Sequence, residues 1–311
     1  MKKVLLTGGT GFIGRHCIAP LRAKGYEIHL AVPPSEPLPP ATGHIHAHAA
    51  DLLAPGIARE LMHSIRPSHL LHLAWYVKHG QFWTSPENVR WQAQSVELLE
   101  AFISAGGTRA VLAGTCAEYE WSEGPLREAA SPLAPRSLYA TCKDGLRRQA
   151  QELADQAKIS FAWGRIFFLY GPAEDPNRFV PSILLPLLAG RRAKCLSSTL
   201  VRDLLHAADV AGAFAALLDS DTRGAANIAS GQGVSLGQVA RTIATIVGRE
   251  DLLDLAPGPV TADNPASIVA DAGLLRDAVR WRPTFDLRAG LADAIEWWKA
   301  HRLAGGPAAR E

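Results

Sequence analysis

Short apolar runs alternate with longer stretches of helical period along the first half of the chain. "VLLTG" (4–8), "EIHLAV" (27–32), "HIHAHAAD" (44–51), "HLLHLAW" (69–75), "RAVLAGT" (109–115) and "FAWGRIFFLYG" (161–171) have the length and content of strands. Between them, "QAQSVELLEAFISAGG" and "YATCKDGLRRQAQELADQA" place apolar residues at helical spacing. Strands that are apolar at nearly every position are buried on both faces. Their alternation with helices predicts an α/β fold, a doubly wound parallel sheet of Rossmann type. "VPPSEPLPPATG" (32–43), with five prolines, reads as a loop after the second strand.

After about residue 172 the rhythm changes. "RFVPSILLPLLAGRR" and "SLGQVARTIATIVGR" read as helices, with short extended pieces such as "AANIAS" between them, and a last helix carries Leu291, Ile295 and Trp298 on one stripe. The expected organisation is a dinucleotide-binding domain over residues 1–172, completed by later segments. Residues 173–311 form mainly a smaller α/β substrate-binding portion, and "GGPAARE" is expected to fray.

Composition narrows the function classes. With 48% hydrophobic residues, 20% charged residues and a formal net charge of +2, the profile is that of an ordinary soluble globular protein. It gives no electrostatic basis for a nucleic-acid or membrane partner. The apolar run after Lys2 and Lys3 is three residues long, too short for an export signal, and no run is long enough to span a bilayer, so a cytoplasmic location is expected. Cys17, Cys116, Cys142 and Cys195 show no metal-ligand spacing, and no metal is expected.

The chemistry begins at "VLLTGGTGFIGRH". Gly8, Gly11 and Gly14 sit between a strand and a helix, the context in which such glycines permit a tight turn, close approach of a pyrophosphate and close helix–strand packing. Tyr139 and Lys143 lie one helical turn apart on one face. A phenol of pKa about 10 exchanges protons poorly at neutral pH. A neighbouring ammonium is expected to lower that value and make the phenol a proton donor or acceptor.

These motifs resemble the extended short-chain dehydrogenase/reductase family, whose members mostly act on nucleotide-sugars; the similarity runs to about residue 299. The resemblance implies that Gly8, Gly11, Phe12, Ile13, Gly14 and Arg15 bind the cofactor. It also implies that Asp51 and Leu52 sit by the adenine, that Ala74 lines the cofactor groove and that Lys143 holds the nicotinamide ribose. By the same resemblance Thr115 matches the Ser/Thr that binds the reacting oxygen. Arg202 matches a phosphate clamp, with an ion pair to Asp203 or Asp209 as the alternative, and Asn177 a diphosphate or sugar contact. A homodimer through two helices flanking the sheet, one bearing Tyr139, is a family expectation. No acid stands at the end of the second strand ("LAVPPSE"), which favours NADP, with Arg15 and Ser35 near the 2′-phosphate; NAD stays open. Where the family's 4,6-dehydratases carry an Asp-Glu pair, this chain has Cys116 and Ala117, with Glu118 one place later. The family's asparagine before "LLEA" is replaced by Trp91, and no second arginine precedes the late "VAD". The expected activity is hydride reduction of a nucleotide-linked 4-keto-6-deoxyhexose with Tyr139 as proton donor; the alternative is an NAD-dependent 4-epimerase. An aromatic-rich "HLAWYVKHGQFW" suggests an apolar wall for a deoxygenated sugar.

Overall fold

The computed structural model describes residues 2–40, 43–121 and 124–303; the expected frayed tail lies outside them. Six strands, β1 (Lys2–Thr7), β2 (Tyr26–Val32), β3 (Ile45–Ala49), β4 (His69–His72), β5 (Arg109–Thr115) and β6 (Ser160–Ile166), come from the first half of the chain. Shorter ones follow: β7 (Phe168–Tyr170), β8 (Ala193–Cys195), β9 (Val201–His206), β10 (Gly224–Ile228), β11 (Gly233–Ser235), β12 (Leu253–Leu255) and β13 (Ser267–Ile268). The helices are α1 (Gly14–Ala23), α2 (Ile57–Ile65), α3 (Glu87–Ser104), α4 (Leu138–Ala157), α5 (Phe179–Leu188), α6 (Ala207–Leu218), α7 (Leu236–Val247), α8 (Gly273–Asp277) and α9 (Leu287–Leu303).

A seven-stranded parallel sheet, in the order β10-β6-β5-β4-β1-β2-β3, forms the centre. The expected doubly wound fold is present: α1 and α6 bury Leu21, Val210 and Phe214 against one face, while α2, α3 and α4 bury Met62, Phe102 and Leu146 against the other. The order reverses between β1 and β4, so the crevice beyond their carboxyl ends is the topological switch point at which such sheets bind ligands.

Strand boundaries depart from the sequence pattern where the chain changes partners. The apolar run 161–171 is two strands. At Phe167 the backbone leaves the central sheet, and β7 pairs with β9 in a second, four-stranded sheet of β7, β9, β11 and β13. The run 69–75 is a strand only to His72. Beyond it the chain turns over β1, with Leu73 N–H on the Thr7 carbonyl (3.3 Å) and Ala74 N–H on the Thr7 hydroxyl (3.2 Å). The "AANIAS" piece lies within the central sheet as its edge strand β10, and α6 covers that sheet, so segments beyond residue 172 build both halves of the molecule. A separate core joins α5, α7 and α9, with Leu291 and Ile295 fully buried and Trp298 packed against them.

Candidate functional site

The glycine turn is dictated by space. Gly8 has φ +68°, and a Cβ on it would stand 2.8 Å from the Ala74 nitrogen; one on Gly14 would stand 2.0 Å from the Gly8 carbonyl oxygen. The first turn of α1 has no side-chain cap; Arg15 N–H and His16 N–H are taken by the Gly11 and Ile13 carbonyls, while no side chain occupies the helix start at Phe12, Ile13 and Gly14, where a pyrophosphate would sit. Arg15 donates to the Gly11 and Thr10 carbonyls (both 3.1 Å) and so rests on the turn itself. Asp51 is exposed and closes a local turn by accepting from Leu53 N–H (3.0 Å), while Leu52 is buried beside it. Ala74 borders the turn from β4. It is fixed by a directed chain in which the Thr7 hydroxyl meets His72 Nδ1 (2.7 Å), His72 Nε2–H meets Ser95 (2.8 Å) and the Ser95 hydroxyl donates to the Trp91 carbonyl (2.6 Å). Trp91 itself is half-buried against Trp75. These residues fit a dinucleotide: an uncapped helix N-terminus, a glycine-rich turn and a groove wall just beyond the adjacent strand.

Thr115, Tyr139 and Lys143 converge at the carboxyl end of β5. Thr115 caps a short 3₁₀ turn, accepting from Ala117 N–H (3.2 Å), while its own N–H donates to Glu118 (2.8 Å). Its side chain is the hydrogen-bond partner of the Tyr139 phenol. Ser137 caps α4 by accepting from Ala140 N–H (3.2 Å), which starts the helix two residues before Tyr139. Lys143, buried one turn on, donates to the Ala113 carbonyl (2.9 Å) and lies 3.8 Å above the Trp75 ring.

The electrostatics correct one expectation. Burial raises the Tyr139 phenol well above its ordinary value; Glu118 and Cys116 add to the rise, and Thr115 and Arg178 oppose it. The ammonium is itself pushed down to about 7 by burial. Docked on Ala113 and Trp75, it does not bring the phenol below its ordinary value.

Five further residues support the site, of which only Asn88 lies outside the stretches and positions singled out from the sequence. Trp75 carries the Lys143 ammonium, and its Nε1–H donates to buried Asn88 (2.8 Å), which is tied to the Phe82 and Ser85 carbonyls. Asn88 stands one turn before the position where Trp91 replaces the family asparagine; a polar residue on the buried side of a helix was the available signal. Glu118 is fully buried, holding Arg165 (2.8 Å), Trp163 (3.0 Å) and the Thr115 N–H. All its acceptor capacity is committed, which removes it as a dehydratase acid. Phe82 and Trp83 set their rings edge-on to Tyr139 at 5.0 and 5.7 Å. Trp83, Ala117, Tyr119, Trp121, Arg136 and Ser137 line an adjoining cavity of about 290 Å³.

At the substrate end Arg202 is buried with no carboxylate partner among the described residues. It donates to the carbonyls of Val201 (2.7 Å) and Pro265 (3.0 Å) and to the Asn264 side chain. Asp203 is engaged by Ser230 and Gly231, and Asp209 by Thr284 and Phe285, so the alternative ion pair is absent. Asn177 is exposed and bonded to Asp175. Arg178 begins α5; Arg192 is paired with Asp254. His206 is buried between Tyr170 and Phe285, capping α6.

The family model described as "NAD dependent epimerase/dehydratase family" matches residues 4–229, from β1 past β10. The chain belongs to the NAD-dependent epimerase/dehydratase family. Curated relatives include a UDP-glucose 4-epimerase from Streptomyces lividans, 25% identical, spanning 96% of this chain and 97% of its own. Another is a dTDP-4-dehydro-6-deoxy-D-allose reductase from Streptomyces bikiniensis, also 25% identical over 96% and 97%. Among solved structures, MoeE5 in complex with UDP-glucuronic acid and NAD superposes with a TM-score of 0.83 at 28% identity, over 96% of this chain and 99% of that one. Family membership makes the chain a nucleotide-sugar enzyme of the epimerase/dehydratase type that works with a nicotinamide cofactor. No described helix is long and apolar enough to cross a membrane.

Proposed function

We propose that the protein reduces the C4 carbonyl of a nucleotide-diphosphate-linked 4-keto-6-deoxyhexose. Tyr139 donates the proton, Thr115 orients the reacting oxygen, and Lys143 meets the nicotinamide ribose. The observation that carries this reading is the state of the Tyr139 site. The phenol is paired with Thr115, set edge-on to Phe82 and Trp83, and, like any phenol, holds its proton at neutral pH. A protonated phenol is an acid in waiting, and acid is what an arriving hydride demands of the oxygen it charges.

The reduced cofactor supplies the hydride. Gly8 through Arg15, with Asp51, Leu52 and Ala74, are proposed to bind the dinucleotide. Pro33, Pro34 and Ser35 follow β2 where an NAD enzyme usually has an acid, which favours NADPH. Arg202, a buried cation without an anion, is the proposed diphosphate clamp, with Asn177 at its exposed margin.

The second reading is an NAD-dependent 4-epimerase. It is favoured by the relatives named as UDP-glucose 4-epimerases and by the NAD held in MoeE5. Purified protein incubated with dTDP- and UDP-linked 4-keto-6-deoxyhexoses should consume NADPH at 340 nm and form the 4-hydroxy sugar, and Tyr139→Phe should lose about 100-fold or more in kcat. Interconversion of UDP-glucose and UDP-galactose with no net change in absorbance selects the epimerase.

A further inference from the structure

Far from the carboxyl ends of the strands, four side chains form a grid that the nucleotide-sugar chemistry does not use. Glu27 and His29 lie two apart on β2, and His46 and His48 lie two apart on the edge strand β3. The register pairs His29 with His46. Alternation along each strand then puts all four on one face of the sheet. The His29 and His46 rings stack at 4.8 Å and 22°, and those of His29 and His48 at 5.2 Å and 19°. Glu27 Oε1 stands 3.1 Å from His29 Nε2 and 3.6 Å from His46 Nε2, and the three atoms lie within 4.8 Å of one another.

Those spacings have a chemical meaning. Ligand bonds of about 2.0–2.1 Å at tetrahedral angles set neighbouring donor atoms about 3.3 Å apart. Two of the three edges bracket that length. The third closes by rotation of His46, whose side chain is 44% exposed and free to move. In the metal-free protein the Glu27 carboxylate, which can only accept, holds the proton on His29 Nε2 (3.1 Å); an ion would displace it, and Nδ1, 2.9 Å from His48 Nε2, would then carry the proton and donate it to His48. We propose that Glu27, His29 and His46 bind one divalent late transition-metal ion, of the zinc, cobalt or nickel kind, with His48 as the outer partner that sets the His29 tautomer.

Two imidazoles and one carboxylate suit such ions better than magnesium or calcium, which prefer all-oxygen shells. Lys3, beside Glu27 in the β1–β2 register, opposes the ion's charge and limits affinity. The fourth position faces solvent through His46. Bound there, the ion staples the edge strand to β2, a place where exposed backbone otherwise invites fraying or association.

The test uses tag-free, metal-stripped full-length protein titrated with Co²⁺. One equivalent should bind saturably, produce a visible ligand-field band and be displaced by Zn²⁺. Glu27→Gln and, separately, His46→Ala should each weaken binding by about tenfold or more, and His48→Asn by about tenfold through the His29 tautomer. Both Glu27 and His46 are far enough from the crevice that turnover of the sugar substrate should not change. No saturable binding of Co²⁺ or Zn²⁺ up to about 100 µM, where a functional site would be largely filled, overturns the proposal. So does binding that survives either Glu27→Gln or His46→Ala at full strength. Because binding is read spectroscopically, the outcome is independent of whether the enzyme is a reductase or an epimerase.

Discussion

At Lys143 burial and function pull in opposite directions. The ammonium is removed from water and compensated by one carbonyl and one indole face, which is too little to hold its ordinary pKa; it falls to about 7. The unfolded chain therefore binds that proton more tightly between pH 7 and about 10.5, and stability rises with pH across this window. Below pH 7 the penalty is present in full. Lys143→Met should consequently stabilise the protein alone by on the order of 2 kcal/mol at pH 7, abolish turnover and flatten the rise in urea midpoint between pH 7 and 10. A midpoint lower than that of the parent chain at pH 7 refutes this account. Arg202 follows the same logic on the substrate side. Arg202→Met should leave the thermal midpoint unchanged or higher, yet weaken nucleotide-sugar binding about tenfold or more in calorimetry, because charge-assisted bonds to a phosphate each contribute about 1.5–3 kcal/mol.

At the scale of elements, the joint between β5, its 3₁₀ turn and β6 holds the reacting groups in place. Glu118 reaches back to the Thr115 N–H, while Arg165 on β6 holds Glu118 and the Tyr119 hydroxyl (3.0 Å), and Tyr119 in turn donates to Asn227 on β10 (2.8 Å). Three neighbouring strands are thus tied beneath Thr115, the residue proposed to meet the substrate oxygen. Glu118→Gln keeps acceptors for Thr115 and Trp163 but leaves the Arg165 guanidinium, 1% exposed, without its anion. The expected cost is about 3–5 kcal/mol in urea denaturation, and adding Arg165→Met should recover much of it. A loss under about 1 kcal/mol for the single variant contradicts a committed ion pair.

Across the whole molecule, acid is the weak direction. His72 is pushed down to about 3 and His69 to about 4, both by burial, with His72 bonded on each side by Thr7 and Ser95. Their folded values lie below the ordinary imidazole value of about 6.5, so the unfolded chain takes up these protons first as pH falls. The contribution of these two imidazoles should be fully present above about pH 6.5 and decline steadily from there to pH 4, seen as a falling thermal midpoint. His72 joins β4 to the wall of the cofactor groove, so dinucleotide affinity should decline over the same range. A midpoint flat from pH 7 to 4 excludes the buried imidazoles as the cause.

What the sequence determined by itself was whatever chemistry demands locally. A left-handed Gly8, a Gly14 with no room for a Cβ and a Tyr-x-x-x-Lys spacing are requirements of a few neighbouring residues, so they could be read before any fold was known. Apolar runs buried on both faces likewise announced the parallel sheet. Period-2 alternation also contained the answer on Arg202, since Asp203 beside it on β9 must face the other way. Tertiary structure decided the rest, because it depended on which distant segments meet. Trp75 became the seat of Lys143 only when the loop after β4 packed on α4, and the run 161–171 broke only because its two halves joined different sheets. The direction of the Tyr139 shift was decided there too: how deeply the phenol lies beneath Phe82 and Trp83 follows from which segments pack around it, and that burial is the largest cause of the rise.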